Sequence, residues 1–599
     1  MSVLPNLRNT ATGQSFPYID TPDFSYDQWL LNLQSENLSP IGTVSNAPTV
    51  AVIGGGVSGL CAAYELMRAG CSVAVFEQAA EVGGRCASDT FGSDLSDIAE
   101  MGSMRFPPSE FILNYYLTKF GLIPSDISGL PDFPDPGVVP TYICYGGQAP
   151  QIWTKANSSA PAGFATVYNG WIALVSQGLT TTGNLPTLLS ATQITALLQQ
   201  NNIAAATVAW QNYLNVFGQQ TFYSALQSIF TGTSGYAIPG GTAWSFADFD
   251  KFGALGIGSG GFGPLYPISF TEILRIVVDG LENTQKFLQP NSFLKNGIRS
   301  LPLTFAQALG SAVATSSPIS AISGNVASGF YLITPTGGNY GPFVRVIVAT
   351  TTRSMELTLS LTNYTQGLVS PQVAQAIMRT HVVSSNKVAA LIPNFWSGNP
   401  GAVRALQTDN IAHQVYTLDY TAYGSGTPDP NGVCFISYVW DDDAVKQQSI
   451  TDGAPTGSAE NQTLYSYLFN AIQNIGDPVK TWANSNLQPL NGDYTDNVIF
   501  EEWQSSPYFG GAFKLSQPGQ DQYTQMMFFD YQKAGSTGDT GVYIAGDCLS
   551  WTSGWVEGGL TTGLNAAAGV IASLGGTLNT DANGRTPMNI NANRYTYWG

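Results

Sequence analysis

Three glycines, Gly54-x-Gly56-x-x-Gly59, have the spacing in this chain that most directly implies a chemistry. Glycines so placed let a backbone approach a pyrophosphate closely, and a helix opening behind them adds free N–H groups and a positive dipole end. Alone the pattern is weak in a chain with 65 glycines. Glu77, however, lies where a second strand should end, placed to accept hydrogen bonds from an adenosine ribose. The set describes a dinucleotide site without saying which dinucleotide. A second candidate is Arg105, set among Met104, Phe106 and Pro107. Its planar guanidinium offers two parallel donors that suit a carboxylate, and burying it without such a partner would be costly. An internal salt bridge to Glu100 or Asp97 is the bland alternative. Other chemistries lack their residues. The two histidines, His381 and His413, sit in no metal-ligand spacing, so no metal is expected. There is no G-x-S-x-G elbow. Six cysteines without C-x-x-C spacing read as buried free thiols.

Positioning these groups requires a strand (TVAVI, from Thr49), the glycine turn, a helix and a strand over Ser72–Phe76. Val57, Leu60, Tyr64 and Met67 recur at helical steps and place one face of that helix on a core. Residues 1–47 are polar and proline-punctuated, an arm with one short helix around Asp27–Gln34. Helical patterns fill 160–235 and return in SFTEILRIVVDGLENTQKFL after a glycine-rich loop. Short β-type runs follow over 291–350, ending in RVIVAT, a strand covered on both faces. Strand-like pieces recur over 381–440. The last 60 residues give the strand GVYIAG, a small-residue helix (Gly558–Leu574) and a polar tail.

Charged residues make up 10% of the 599, against about 25% in an ordinary soluble protein, yet the net charge is −18. That sign excludes nucleic acid and anionic membrane surfaces as partners. No apolar stretch is long enough to span a bilayer and no signal-peptide layout opens the chain, so a soluble protein is expected, with a cytoplasmic location slightly favoured. Sequons at Asn37, Asn157, Asn363 and Asn461 do not establish secretion.

The segment after Glu77, five residues and then Gly83-Gly84-Arg85, resembles the FAD-binding flavin amine oxidase family. Glu100-Met-Gly-Ser-Met-Arg-Phe-Pro-Pro narrows the likeness to flavin-dependent L-amino-acid oxidases and the bacterial tryptophan and phenylalanine oxidase/monooxygenase group. The resemblance covers most of 48–575. It implies that Arg85 reaches the phosphates, that Gly102, Ser103, Met104 and Arg105 pass beside the flavin, and that Arg105 binds a substrate carboxylate. Ser385-Asn-Lys-Val-Ala-Ala-Leu-Ile would carry Lys387, facing flavin N5 through a water, and Gln414-Val-Tyr would carry Tyr416, whose hydroxyl pairs with the arginine on the carboxylate. Trp440 would line the side-chain pocket. Gly546 and Asp547 would hold the ribityl or phosphate region, while Gly554, Trp555 and Val556 lead into a helix aimed at the flavin N1–C2=O edge. Gln78, Ser58 and Ile319 complete the implied FAD set with Gly54, Gly56, Gly59, Glu77 and Gly84; Trp551 and Phe513 join the substrate set.

The resemblance implies an α/β fold. A Rossmann-like FAD domain would be assembled from 48–106, 291–356 and 536–578, beside a mixed-sheet substrate domain (107–159 and 357–535), a helical insertion (160–290) and a C-terminal tail (579–599). A homodimer is implied in the same way. The expected activity is oxidation of an L-amino acid by O2 to a 2-oxo acid, ammonia and H2O2, with hydride passing from Cα to flavin N5. Large apolar or aromatic side chains are favoured. The alternatives are an L-amino-acid 2-monooxygenase giving the amide, a basic-amino-acid oxidase using Asp248 and Asp250, and a flavoprotein that binds FAD without catalysis.

Overall fold

A computed structural model describes residues 17–31, 38–92, 94–123, 132–134, 137–154, 160–181, 185–256, 261–282, 297–419 and 429–597. Five parallel strands make one sheet, in the order Val313–Ala314, Ser72–Phe76, Thr49–Ile53, Arg345–Val348, Val542–Ile544. Alternation along Thr49–Ile53 sends Val50 and Val52 into one core and Ala51 and Ile53 into another. Both faces are therefore covered, as a continuous β-branched run requires. One cover is the helix pair Val57–Arg68 and Val556–Ser573. The other is a three-stranded antiparallel sheet (Ala321–Asn325, Gly329–Ile333, Asn339–Phe343) with the helix Pro371–Arg379.

The helix Val57–Arg68 is buried on more sides than its apolar stripe predicts, from Ser58 through Leu66. Its second neighbour explains this. A Cβ added at Gly563 would lie 2.4 Å from the Ser58 carbonyl oxygen, so the small-residue helix Val556–Ser573 comes in almost backbone to backbone.

A seven-stranded sheet runs Val498–Glu502, Ser385–Pro393, Asn431–Trp440, Gln414–Leu418, Ala405–Thr408, Thr141–Cys144, Gln151–Trp153. It is mixed, because Ala405–Thr408 runs parallel to Thr141–Cys144 while the other pairs are antiparallel. Helices Ala459–Gln473 and Val479–Asn486 cover one face. The other face meets Met101 and Met104 through Tyr416 and Phe435. Helices from Ala162–Gln177 to Phe270–Val278 enclose a separate aromatic-rich core.

The stretch expected to be β-type over 291–350 contains a helix, Ser300–Leu309. Leu301, Phe305 and Leu309 point into the core at steps of four, a helical period that the neighbouring β-branched residues masked. The arm's short helix is Tyr26–Leu31; residues 32–34 of the expected helix lie outside the described residues. Trp29 is fully buried, and the Tyr26 hydroxyl donates to Asn565 at 2.7 Å, fastening the arm to the last helix. All six cysteines are buried and free, as expected. Among the described residues no helix is long and apolar enough to cross a membrane.

Candidate active site

At the carboxyl ends of the parallel strands, where open α/β sheets bind ligands, Gly54, Glu77 and Ala349 line a cavity of about 300 Å³. Gly54 has φ 109°, and a Cβ there would stand 2.3 Å from the Ala349 carbonyl oxygen. A Cβ on Gly59 would stand 2.1 Å from the Gly54 oxygen, so this glycine serves helix–strand packing and does not line the cavity. Gly56 is the opposite case. A Cβ there meets nothing within 4 Å, and the helix that begins after it has no side-chain N-cap. Gly83 pairs with Gly56 and donates to the Gly55 oxygen at 3.0 Å, bringing in Gly84 and Arg85. Arg85 donates to Asp547 at 3.1 Å and to the Ala512 oxygen at 2.7 Å. Asp547 also accepts from Gly554 N at 2.9 Å and Ser553 Oγ at 3.1 Å. Glu77 accepts from the amides of Gly55 (2.6 Å) and Ala79 (2.7 Å), and burial lifts its carboxyl above the usual range. An uncapped helix end, an open glycine cradle and an arginine fit a pyrophosphate, and Glu77 with Gln78 fits an adenosine ribose.

Arg105 lines the same cavity. Its guanidinium donates to the Tyr416 hydroxyl at 2.7 Å and lies over the rings of Phe133 (4.3 Å) and Tyr416 (5.1 Å). Tyr416 is fully buried behind the arginine and is not part of the cavity wall. The two carboxylates weighed as internal partners are engaged elsewhere. Glu100 accepts from Ser88 Oγ (2.6 Å) and Ile298 N (2.9 Å), and Asp97 accepts from Asn431 (2.9 Å). Burial pushes Glu100 up to about 8. Lys387 also lines the cavity, and its Nζ donates to the carbonyls of Glu100 (3.1 Å) and Gly102 (2.5 Å). Burial first, then the Arg105 charge, holds its amine well below the ordinary lysine range. Through these two bonds it pins the backbone segment that carries Arg105.

Ser58, Ser103, Ile319, Gly546, Trp440, Gly554, Trp555, Val556 and Phe513 line the cavity. Trp551 does not: it stacks on Tyr597 at 5.3 Å and lies 4.8 Å from the Arg275 guanidinium. The turn after it reverses the chain, so two tryptophans four residues apart face different compartments. Asp248 and Asp250 are also elsewhere. Asp248 caps its own helix at Ser245, and Asp250 accepts the Tyr145 hydroxyl at 2.6 Å. Unanticipated wall residues include Trp171, Phe262, Leu265, Ile273, Ile276, Val277 and Tyr438. Ile273, Ile276 and Val277 follow a helical stripe that was legible as a stripe but not as a pocket wall.

Residues 57–571 match the family model for flavin containing amine oxidoreductases. The chain belongs to that family. Its cofactor is FAD, and the cradle described above is where this flavoenzyme would hold it. The chain is 38% identical over 570 residues to a tryptophan 2-monooxygenase of Pseudomonas savastanoi, covering 93% of this chain and 96% of that protein. It is 35% identical over 603 residues to a tryptophan 2-monooxygenase of Rhizobium radiobacter, covering 99% and 74%. Among solved structures, a redesigned putrescine oxidase shares the fold with a TM-score of 0.59 at 18% identity, covering 88% of this chain and all of that one.

The flavoenzyme's last helix, Val556–Ser573, begins at the cavity wall and shares its N-terminus with a second helix, Phe111–Lys119. Glu110 accepts from Glu557 N at 3.1 Å, and Glu557 accepts from Ile112 N and Leu113 N, both at 2.9 Å. Each helix is thus capped by a buried carboxyl from the other. Burial pushes Glu557 up to about 8, and burial with the Glu557 charge raises Glu110. Nothing in the local sequence announces this exchange, because the two carboxyls are 447 residues apart.

Proposed function

We propose that this enzyme oxidises L-amino acids with large aromatic side chains, L-tryptophan foremost, and completes the reaction as a 2-monooxygenase. The observation that carries the reading is a single cavity with a dinucleotide cradle, an arginine held in place by Tyr416, and a pocket walled by Trp171, Phe262, Trp440 and Phe513. Arg105 would take the substrate carboxylate through paired charge-assisted bonds, fixing where Cα stands. Tyr416 and the ring of Phe133 would keep the guanidinium from swinging. Lys387 would hold the Glu100 and Gly102 carbonyls in place, and its amine would hold the water that the resemblance puts beside it. The apolar walls would exclude bulk water. FAD, when bound, supplies the chemistry of taking a hydride from Cα and passing two electrons to O2.

The outcome then depends on the imino acid. Retained, it would be oxidised by the H2O2 formed, so that amino acid and O2 give the carboxamide, CO2 and water. Released, it would be hydrolysed to 2-oxo acid and ammonia, the oxidase outcome expected from the sequence. The names of the relatives at 35–38% identity support the first. The displaced Asp248 and Asp250 weigh against a basic substrate. The division into FAD-binding, substrate-binding and helical domains belongs to the same proposal.

The test is anaerobic addition of L-tryptophan, L-phenylalanine, L-leucine and L-lysine to the flavin-loaded protein, then aerobic turnover with mass spectrometry of the products. Bleaching by L-tryptophan, with indole-3-acetamide as product, is the expected result. Indole-3-pyruvate alone would return the enzyme to the oxidase reading. A flavin that no amino acid bleaches would leave the non-catalytic one.

A further inference from the structure

Behind the pocket lies a buried ionic network that the proposed chemistry does not use. Arg275 is 1% exposed and reaches three carboxylates: Asp20 at 2.8 Å from Nε, Glu272 at 2.5 Å and Asp521 at 2.8 Å. Glu272 in turn receives Lys514 Nζ at 2.9 Å and Ser516 N at 3.2 Å. Burial pushes Glu272 upward, but Lys514 and Arg275 more than reverse it and keep its carboxyl below the ordinary range. Segments near both termini pack beside the network. Ile19 N donates to Asp279 at 3.0 Å, and the Tyr597 hydroxyl donates to Asp20 at 3.3 Å.

The network and the pocket share their supporting elements. On the helix Phe270–Val278, Glu272 and Arg275 face the ions while Ile273, Ile276 and Val277 face the cavity. In the segment 513–516, Phe513 and Leu515 face the cavity while Lys514 and Ser516 face Glu272. One helix and one extended segment therefore separate the cavity from the ions. Buried ion pairs add little net stability over well-packed apolar groups, but their directional bonds can fix a register that apolar contacts leave free to slide.

We infer that this network is the positioning device of the side-chain pocket. It fixes the register of the 270–278 helix against segment 513–516 and so sets the width available to the substrate side chain. Glu272, Arg275 and Lys514 are its positioning residues, and the Asp20 ion pair joins the N-terminal arm to it. The inference rests on the amino-acid reading of the cavity.

The experiment compares kcat and KM for L-tryptophan, L-phenylalanine and L-leucine in flavin-loaded wild type, Arg275→Lys, Lys514→Met and Asp20→Asn. Asp20→Asn keeps both cations and two of the three carboxylates around Arg275, so it supplies folded protein if the central variants do not. The expected result is an unchanged flavin spectrum and FAD content, with the L-tryptophan to L-leucine ratio of kcat/KM altered at least 10-fold in the central variants and at least 3-fold in Asp20→Asn, carried by KM. An equal loss for all three substrates, or a fall in kcat alone, would overturn it and leave the network a purely structural element. If wild type is reduced by no L-amino acid, the cavity reading itself fails and takes the inference with it, a result distinct from an unchanged ratio in variants of an active enzyme.

Discussion

Graded removal of the carboxylate clamp should give a graded loss of binding. Arg105 is fixed from behind by the Tyr416 hydroxyl at 2.7 Å and from the side by Phe133 at 4.3 Å, so its fork has little freedom to re-aim. Hydrogen bonds to charged groups contribute about 1.5–3 kcal/mol each, and neutral ones about 0.5–1.5 kcal/mol. Arg105→Lys keeps the charge but cannot present two parallel donors, so it should lose one such bond, about a 10- to 150-fold rise in Kd. Arg105→Met loses both, about 3–6 kcal/mol, or at least 150-fold. Tyr416→Phe removes only the support, and about 2- to 12-fold is expected. The assay is equilibrium titration of the flavin-loaded protein with indole-3-propionate, which cannot undergo amine oxidation, read by the perturbed flavin absorption and repeated with the corresponding amide. FAD content should stay constant, and the amide should bind all four proteins with similar weakness. If Arg105→Met binds the carboxylate as tightly as Arg105→Lys, the arginine does not clamp it.

Two glycines separate cradle from packing. Gly56→Ala should leave the thermal stability of the apoprotein unchanged while weakening FAD binding at least 10-fold, whereas Gly59→Ala, with its Cβ driven against the Gly54 oxygen, should lower stability or yield no soluble protein; equal behaviour in FAD titration and thermal melts would contradict the assignment. Lys387→Met should abolish the stability cost of a buried amine. Because burial depresses the folded pKa, the unfolded lysine keeps its proton to higher pH than the folded one, so wild-type stability relative to this variant should rise with pH below the ordinary lysine range, by at most about 1.4 kcal/mol per pH unit, in urea unfolding. A flat difference would mean that the lysine stays charged. Glu557 has the opposite sign, because its folded pKa of about 8 lies above the unfolded carboxyl value. Its contribution is complete below about pH 4 and is lost as pH rises through 8, so the wild-type advantage over Glu557→Gln should shrink by about 1.4 kcal/mol per unit between pH 5 and 7.5. A constant advantage would show that the capping carboxyl is ionised throughout.

The parts of the fold that were readable from sequence are those decided by neighbours in the chain. The strand at Thr49, the glycine turn and the strand at Ser72 follow from β-branched alternation and turn chemistry, and they formed as expected. The helix at Ser300 escaped because its four-residue period is short and sits beside genuine strands. Its core contacts with Tyr64 and Tyr116 are tertiary and could not be read locally.

The site divides along the same line. Arg105 and Tyr416 are 311 residues apart, and Lys387 reaches a carbonyl 285 residues away. No spacing rule connects them; only the resemblance did. Where the chemistry leaves no short motif, even that guide fails. The Arg275 network draws on residues 20, 272, 275, 514 and 521, each alone an ordinary surface charge by composition. Trp551, grouped by sequence with Trp440, Trp555 and Phe513 as an aromatic of the candidate pocket segments, packs against that network instead. The error locates the boundary: the chain turns between Trp551 and Gly554, and at that turn the wall of the pocket passes from residues that meet the substrate to residues that hold those in place.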